Sequence, residues 1–160
     1  MTYCLAIALN DGLIFCSDSR TNAGADRVSS YSKMHQFAFP GERSLVLLSA
    51  GNLATSQSVV SQIHRDLETG ETAVLRSANY VSDIADYVGG LIAQESGKYS
   101  VSGGPGAELD VSATFILGGQ ISGYEPELFM VYPEGNHITP SRTHPFLQIG
   151  ETKYGKPILD

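Results

Sequence analysis

The first chemistry the sequence offers lies at Thr2, followed downstream by Asp18, Lys33 and Gly51. Methionine aminopeptidase removes Met1 ahead of small residues. Thr2 then holds a hydroxyl and a free α-amine, and such an amine titrates near ~7.7–8.0. Nucleophile and base come joined on one residue and need no histidine. The chemistry open to such a pair is nucleophilic attack. Taken alone, Thr2 also fits as the plain first residue of a strand. Lys33 falls in Tyr31-Ser32-Lys33-Met34, a segment expected to be extended. A charge on a buried strand face needs a partner. Asp18, closing the expected second strand, can supply one. The pair reads either as an ion pair at a sheet edge or as a device beneath the Thr2 hydroxyl. In the second case Lys33 helps the hydroxyl lose its proton, and Asp18 keeps Lys33 charged and oriented. Gly51, in Ser49-Ala50-Gly51-Asn52, lies between an expected strand and an expected helix. N–H groups at a helix start favour negative charge, which suits an oxyanion hole, though an ordinary strand-to-helix turn looks the same.

Other chemistries find no support. There is no G-x-S-x-G elbow. No two of His35, His64, His137 and His144 have the spacing of a zinc helix, and each reads as a surface or edge residue. No metal and no cofactor is expected. Gly150 to Lys156 matches G-x-x-x-x-G-K, but Pro157 stands where a P-loop needs a hydroxyl. Cys4 and Cys16 match no metal or CxxC spacing and read as small buried residues on neighbouring strands. A disulfide is not expected in a reducing cytoplasm. The formal net charge is −7, and Lys and Arg form no stripe that could neutralise phosphates, so nucleic acid is not an expected partner. No apolar run approaches the ~20 residues of a membrane helix. The first residues do not read as a signal peptide, which points to the cytoplasm.

The elements that must position these residues are legible from period and punctuation. The 160 residues fit a single domain, 1–160. Strands are expected over Thr2 to Leu9, Leu13 to Asp18, Tyr31 to Phe39 and Ser44 to Ala50. Asp11-Gly12 marks a hairpin turn, and Ser19 to Ser29 reads as a loop. The fourth strand is apolar enough to be buried on both faces. Leu53, Val60, Ile63 and Leu67 then fall at helical spacing, with Gly70 as the stop. Val81, Ile84, Val88, Leu91 and Ile92 mark a second helix, with Asn79 or Ser82 as candidate caps. Strands return at Ser112 to Leu117, Glu127 to Tyr132, His137 to Ser141 and Phe146 to Ile149. A third helix begins near Tyr154, with Pro157 in its first turn. Strands, two helices, strands and a helix imply α+β architecture. The chain ends as that helix begins, which reads as a C-terminal part missing.

Thr2 at the start of the first strand, Ser17-Asp18-Ser19-Arg20, Lys33 and Ser49-Ala50-Gly51-Asn52 together resemble the proteasome β-subunit family. Thr2-Tyr3-Cys4, Ser17 to Gly24 and Lys33-Met34-His35 are most similar to its bacterial ancestral-β-subunit branch, Anbu. The resemblance covers the whole sequence. It implies a four-layer αββα sandwich of the N-terminal-nucleophile type and assembly as a homo-oligomer, in a ring or open helical arrangement. It also implies a threonine peptidase acting on peptide or amide substrates. Thr2 would be nucleophile and base, Asp18 and Lys33 would activate it, and the Gly51 N–H would hold the oxyanion. Arg20 would support the loop after Asp18, and Ser19, Ala50 and Leu53 are possible pocket walls. The family's Gly-Ser-Gly turn is replaced by Gly150-Glu151-Thr152-Lys153. Without a propeptide, activation would rest on loss of Met1. Two other outcomes are carried beside the peptidase: an assembly subunit without chemistry, and an amide hydrolase of small molecules.

Overall fold

In the computed structural model, alternation of small and large apolar residues near the N-terminus builds the first of the two larger sheets. The structure describes residues 2–22, 28–70, 73–100, 110–153 and 155–159. Strands β1 (Tyr3–Leu9) and β2 (Gly12–Ser17) form an antiparallel hairpin, and a late strand, β10 (Phe146–Gly150), adds to the other edge of β1. Leu9 pairs with Gly12, so the hairpin loop is Asn10-Asp11 rather than Asp11-Gly12. Neither loop residue has positive φ, and Gly12, at φ 150°, takes up the twist as the first residue of β2.

The segment Ser19 to Ser29 is not wholly a loop. It contains a two-stranded ribbon, β3 (Arg20–Asn22) and β4 (Val28–Ser30). Next come β5 (Met34–Phe39) and β6 (Arg43–Gly51), then α1 (Leu53–Thr69), the single turn α2 (Val74–Ser77) and α3 (Val81–Ser100). The chain returns through β7 (Ala113–Ile121), β8 (Glu127–Val131) and the two-residue β9 (His137–Ile138), passes β10 and ends in α4 (Lys156–Leu159). The second sheet is five-stranded and antiparallel, in the order β5-β6-β7-β8-β9.

Helix α1 is stopped by its own chemistry at both ends. The Asn52 side chain accepts the Thr55 N–H at 3.0 Å, a standard N-cap. Gly70 sits left-handed at φ 71° and sends its N–H to the Asp66 carbonyl. Helix α3 begins between the two residues expected to cap it, at Val81, and the Asp83 carboxylate accepts the Tyr80 N–H.

Period-2 alternation on β6, β7 and β8 sends one set of side chains to each face of the five-stranded sheet. Leu45, Leu47, Phe115, Leu117, Phe129 and Val131 meet Val59, Ile63, Ile84, Val88 and Ile92 from α1 and α3. On the opposite face Leu48, Ala50, Ile116 and Leu128 meet Cys4, Ala6, Leu147 and Ile149 of the three-stranded sheet. Two cores result, one between helices and sheet and one between the sheets. The Phe15 ring packs where Gly118 leaves space for it.

Register decides the fate of the second cysteine. Cys4 pairs with Ser17, so Cys16 stands opposite Leu5 on the outer face of the three-stranded sheet. Cys4 is buried and Cys16 is exposed, so the expectation of two buried thiols is corrected for one. Ile14 and Leu9 share that outer side and are about half exposed. The histidines sit at margins: His35 on edge strand β5, His137 on edge strand β9, and His64 and His144 exposed.

Ile63 is 1% exposed within the helix-side core. Ile63→Ala is expected to lower unfolding stability by ~2–5 kcal/mol, and Asn52→Ala by ~1 kcal/mol. Denaturant midpoints of the purified variants measure both.

Candidate active site

Thr2 precedes β1 and is half-buried. Two separate attachments hold its backbone. On one side its carbonyl accepts the Glu151 N–H at 2.6 Å. On the other, Tyr3 is bound to Asp18 in both directions. The Tyr3 N–H donates to Asp18 Oδ1 at 2.8 Å, and the Asp18 N–H donates to the Tyr3 carbonyl at 3.1 Å.

Asp18 lies one residue past the end of β2, and its second oxygen faces Lys33. Lys33 Nζ donates to Asp18 Oδ2 at 2.6 Å. Lys33 is only 5% exposed, whereas Asp18 keeps about a third of its side chain in reach of water. Lys33 is not inside a strand as expected. It immediately precedes β5, and its carbonyl accepts the Ser49 N–H at 3.0 Å, one step past the last register pair, Met34 with Leu48. A buried ammonium is costly unless paired and hydrogen-bonded. Asp18 supplies a charge-assisted bond to it. The same carboxylate therefore touches the buried cation with one oxygen and the backbone next to Thr2 with the other.

Gly51 ends β6 at φ 105°, a conformation that favours glycine. A Cβ there would stand 2.6 Å from the Ser112 carbonyl oxygen, so the position also has no room for a side chain. The Asn52 N–H bonds the same carbonyl at 2.8 Å, which fixes the path from β6 into α1. Gly150 is the second such point. At φ 88° it presses on the Thr2 carbonyl so closely that any Cβ would collide with it. A cavity of about 310 Å³ opens between the two sheets, lined by Ala50, Gly51, Thr114, Met130, Tyr132 and Gly150 among others. It brings Gly51 and the Thr2-contacting Gly150 to one space, although Thr2 is not itself on its wall.

The other sequence-derived positions scatter around this centre. Ala50 lines the cavity, while Leu53 and Ser19 do not. Leu53 is the half-buried first residue of α1. Ser19 is exposed, and its carbonyl accepts the Tyr31 N–H. Arg20 opens β3, with its side chain outside the described residues, as is Met1. In the 150–153 turn, Glu151 acts through its backbone N–H and its carboxylate faces Lys153 at 3.5 Å, while Thr152 lines the cavity.

Cys4 lies next to these groups but is not a nucleophile. Burial, reinforced by the nearby Asp18 charge and only partly offset by Lys33, pushes its thiol up to about 12. Its sulfur faces the Ser49 carbonyl at 3.6 Å. Nucleophilic sulfur needs the thiolate, and Cys4 remains a thiol at neutral pH. Among the described residues, no three of the His, Cys, Asp and Glu side chains are grouped to hold a metal ion. No described helix is long and apolar enough to cross a membrane.

Sequence reasoning missed the Tyr3–Gln148 contact. The Tyr3 hydroxyl donates to Gln148 Oε1 at 2.8 Å, and Gln148 is buried. The one available signal was a polar residue in the otherwise apolar run Phe146 to Ile149.

No family model matches the chain, and no curated protein matches it. Solved structures do. The protein is 44% identical to Anbu (ancestral β-subunit) from Yersinia bercovieri, over 99% of this chain and 65% of that one, with a TM-score of 0.88. The Anbu complex from Pseudomonas aeruginosa, solved as a helical assembly, matches with the same identity, coverage and TM-score. An Anbu structure from Hyphomicrobium sp. strain MC1 is 40% identical over 99% of this chain and 67% of that one, with a TM-score of 0.75. The chain thus spans about 65% of the length of the first two relatives. Fold and similarity define a proteasome-like subunit of the N-terminal-nucleophile hydrolase kind. Within that class the chain belongs to the ancestral β-subunit family, Anbu.

The raised thiol gives a test of the local environment. Its ordinary value is 9.0, so between about pH 9 and 12 the unfolded chain releases a proton that the native one keeps. Native stability should therefore be intact below that window and fall as pH rises through it. Cys4→Ala should flatten the decline, measured by urea unfolding at stepped pH. At pH 8, Cys4 should resist iodoacetamide in the native protein and react once it is unfolded, as read by peptide mass.

Proposed function

We propose that the chain is a threonine-type N-terminal-nucleophile hydrolase subunit that cleaves peptide or amide bonds once Met1 is removed. The observation that carries this is the bridging carboxylate of Asp18, bonded to the buried Lys33 ammonium and to the N–H of the residue after Thr2. A buried positive charge near a hydroxyl favours its alkoxide, and the Thr2 α-amine can accept the proton.

In the proposed reaction Thr2 Oγ attacks the substrate carbonyl while the α-amine takes the hydroxyl proton. The oxyanion is held by the Gly51 N–H. Collapse breaks the amide bond. The leaving nitrogen receives the proton from the ammonium, and an ester remains on Thr2. Water, deprotonated by the α-amine, then attacks the ester and releases the acid, restoring the hydroxyl. Asp18 holds the Lys33 side chain in place. Arg20 supports the segment after Asp18, and Ser19, Ala50 and Leu53 contribute to substrate walls. No step calls for a metal or cofactor.

We assign the whole protein a four-layer αββα sandwich acting in the cytoplasm as a homo-oligomer. The helical assembly of the Pseudomonas aeruginosa relative supports the oligomer. The outer face carrying Leu5, Ile7 and Ile14, together with the relatives' greater length, supports a fourth layer over that face. A shell subunit without chemistry is the competing reading. It is favoured by the Gly150-Glu151-Thr152-Lys153 turn, where the Glu151 carboxylate pairs with Lys153.

Intact mass of the full-length protein, before and after a β-lactone, separates the two. The hydrolase reading expects loss of one methionine followed by one adduct, absent in Thr2→Ala. Lys33→Ala should slow adduct formation by ~10²-fold or more. Retained methionine and no adduct would instead favour the shell subunit.

A further inference from the structure

The Tyr3 phenol occupies a position that the reaction as proposed does not use. Its hydroxyl donates to Gln148, the last residue but one before the turn at Gly150. Gly155, on the far side of that turn, packs directly over that hydrogen bond. A Cβ at Gly155 would run into the Tyr3 hydroxyl oxygen and stand 2.5 Å from Gln148 Oε1. The phenol therefore touches both the strand that enters the turn and the residue that leaves it.

What the turn holds is the backbone of Thr2. Gly150 abuts the Thr2 carbonyl, and Glu151 donates its N–H to it. The turn is also closed on itself, with the Thr152 N–H on the Gly150 carbonyl at 2.9 Å and the Gly155 N–H on the Thr152 carbonyl at 3.1 Å. Hydrogen bonds thus run from Gly155 to Thr152 and from Thr152 to Gly150, the neighbours of Glu151 in sequence. Burial holds the Tyr3 phenol above its ordinary pKa, so it remains a hydrogen-bond donor across the neutral range.

We propose that Tyr3 is a positioning residue: by bonding Gln148 and backing Gly155 it braces the 150–153 turn from both sides and so fixes the Glu151 N–H against the Thr2 carbonyl. The proposal rests on the hydrolase reading for its kinetic consequence, since a nucleophile displaced by a fraction of an ångström loses much of its rate. It does not rest on that reading for its structural one.

The experiment uses the full-length protein and Tyr3→Phe, which removes the hydroxyl and keeps the ring. Two readouts are taken together with the melting temperature. Amide hydrogen exchange at Glu151 should speed up by ~10-fold in Tyr3→Phe, while amides in α1 and β7 keep their protection. β-Lactone labelling of Thr2 should show a maximal rate lowered by ~10–100-fold, with the concentration for half-maximal rate little changed. Gln148→Met should have the same effects, and the double variant should be no worse than either single one.

Unchanged Glu151 exchange in Tyr3→Phe overturns the anchoring, whatever the activity. Faster exchange with an unchanged labelling rate overturns the kinetic role. A wild-type protein that takes no label defeats the hydrolase reading instead, and the exchange measurement then still decides whether Tyr3 anchors the turn. If the effects of Tyr3→Phe and Gln148→Met simply add, the two do not act through one contact, and the proposal fails.

Discussion

The ammonium of Lys33 is the constraint around which the N-terminal half is arranged. It is buried close to the inter-sheet core, a location that is unfavourable for an isolated charge by several kcal/mol. The Asp18 carboxylate meets that requirement at 2.6 Å, and Asp18 is available only because β2 returns antiparallel to β1 and ends one residue before it. The pairing of Cys4 with Ser17 then leaves Asp18 opposite Tyr3, where both of its backbone-facing bonds to Tyr3 become possible. A one-residue slip of this hairpin would move Cys4 and Ala6 out of the core and take Asp18 away from Tyr3 at the same time. Core packing and site geometry are therefore specified by the same register.

The five-stranded sheet supplies the second requirement, a rigid floor. Its strands β6 and β7 are covered on one face by α1 and α3 and on the other by the three-stranded sheet. Because both faces are packed, the end of β6 cannot shift without disturbing two cores, and Gly51 inherits that rigidity. The Asn52 cap, the Asn52 N–H bond to Ser112 and the close approach of Gly51 to the same carbonyl all fix one point of the chain. Rigid secondary structure rather than a loop thus carries the residue assigned to the oxyanion.

Much of this was legible in the sequence, because the large elements have strong periods. The helical spacing of Val60, Ile63 and Leu67 and the stop at Gly70 mark α1. The apolar density of Ser44 to Ala50 marks a strand buried on both sides. The pairing of Asp18 with Lys33 could be anticipated because few other solutions exist for a lysine on a buried face. The short elements were less legible. The β3–β4 ribbon is three residues on each strand and polar, so it has no alternation to detect, and α2 is a single turn. The exposure of Cys16 depended on a register that the Asp11-Gly12 signal misplaced by one residue. Contacts made by the backbone, above all Glu151 N–H with Thr2, leave no trace in residue type.

That last class of contact has a physical reason to matter here. The nucleophile proposed at Thr2 would, once Met1 is removed, have covalent support on one side only, so its position would have to be set by bonds from elsewhere in the fold. Thr2 receives them from two directions. The β1–β2 hairpin fixes the following residue through Asp18, and the 150–153 turn grips its carbonyl through Glu151 and Gly150. The two supports belong to opposite ends of the described chain and meet only because β10 pairs with β1. Strand order in the smaller sheet is thus more than a way of covering the core. It places a glycine with positive φ, which alone allows the approach, against the residue proposed to react.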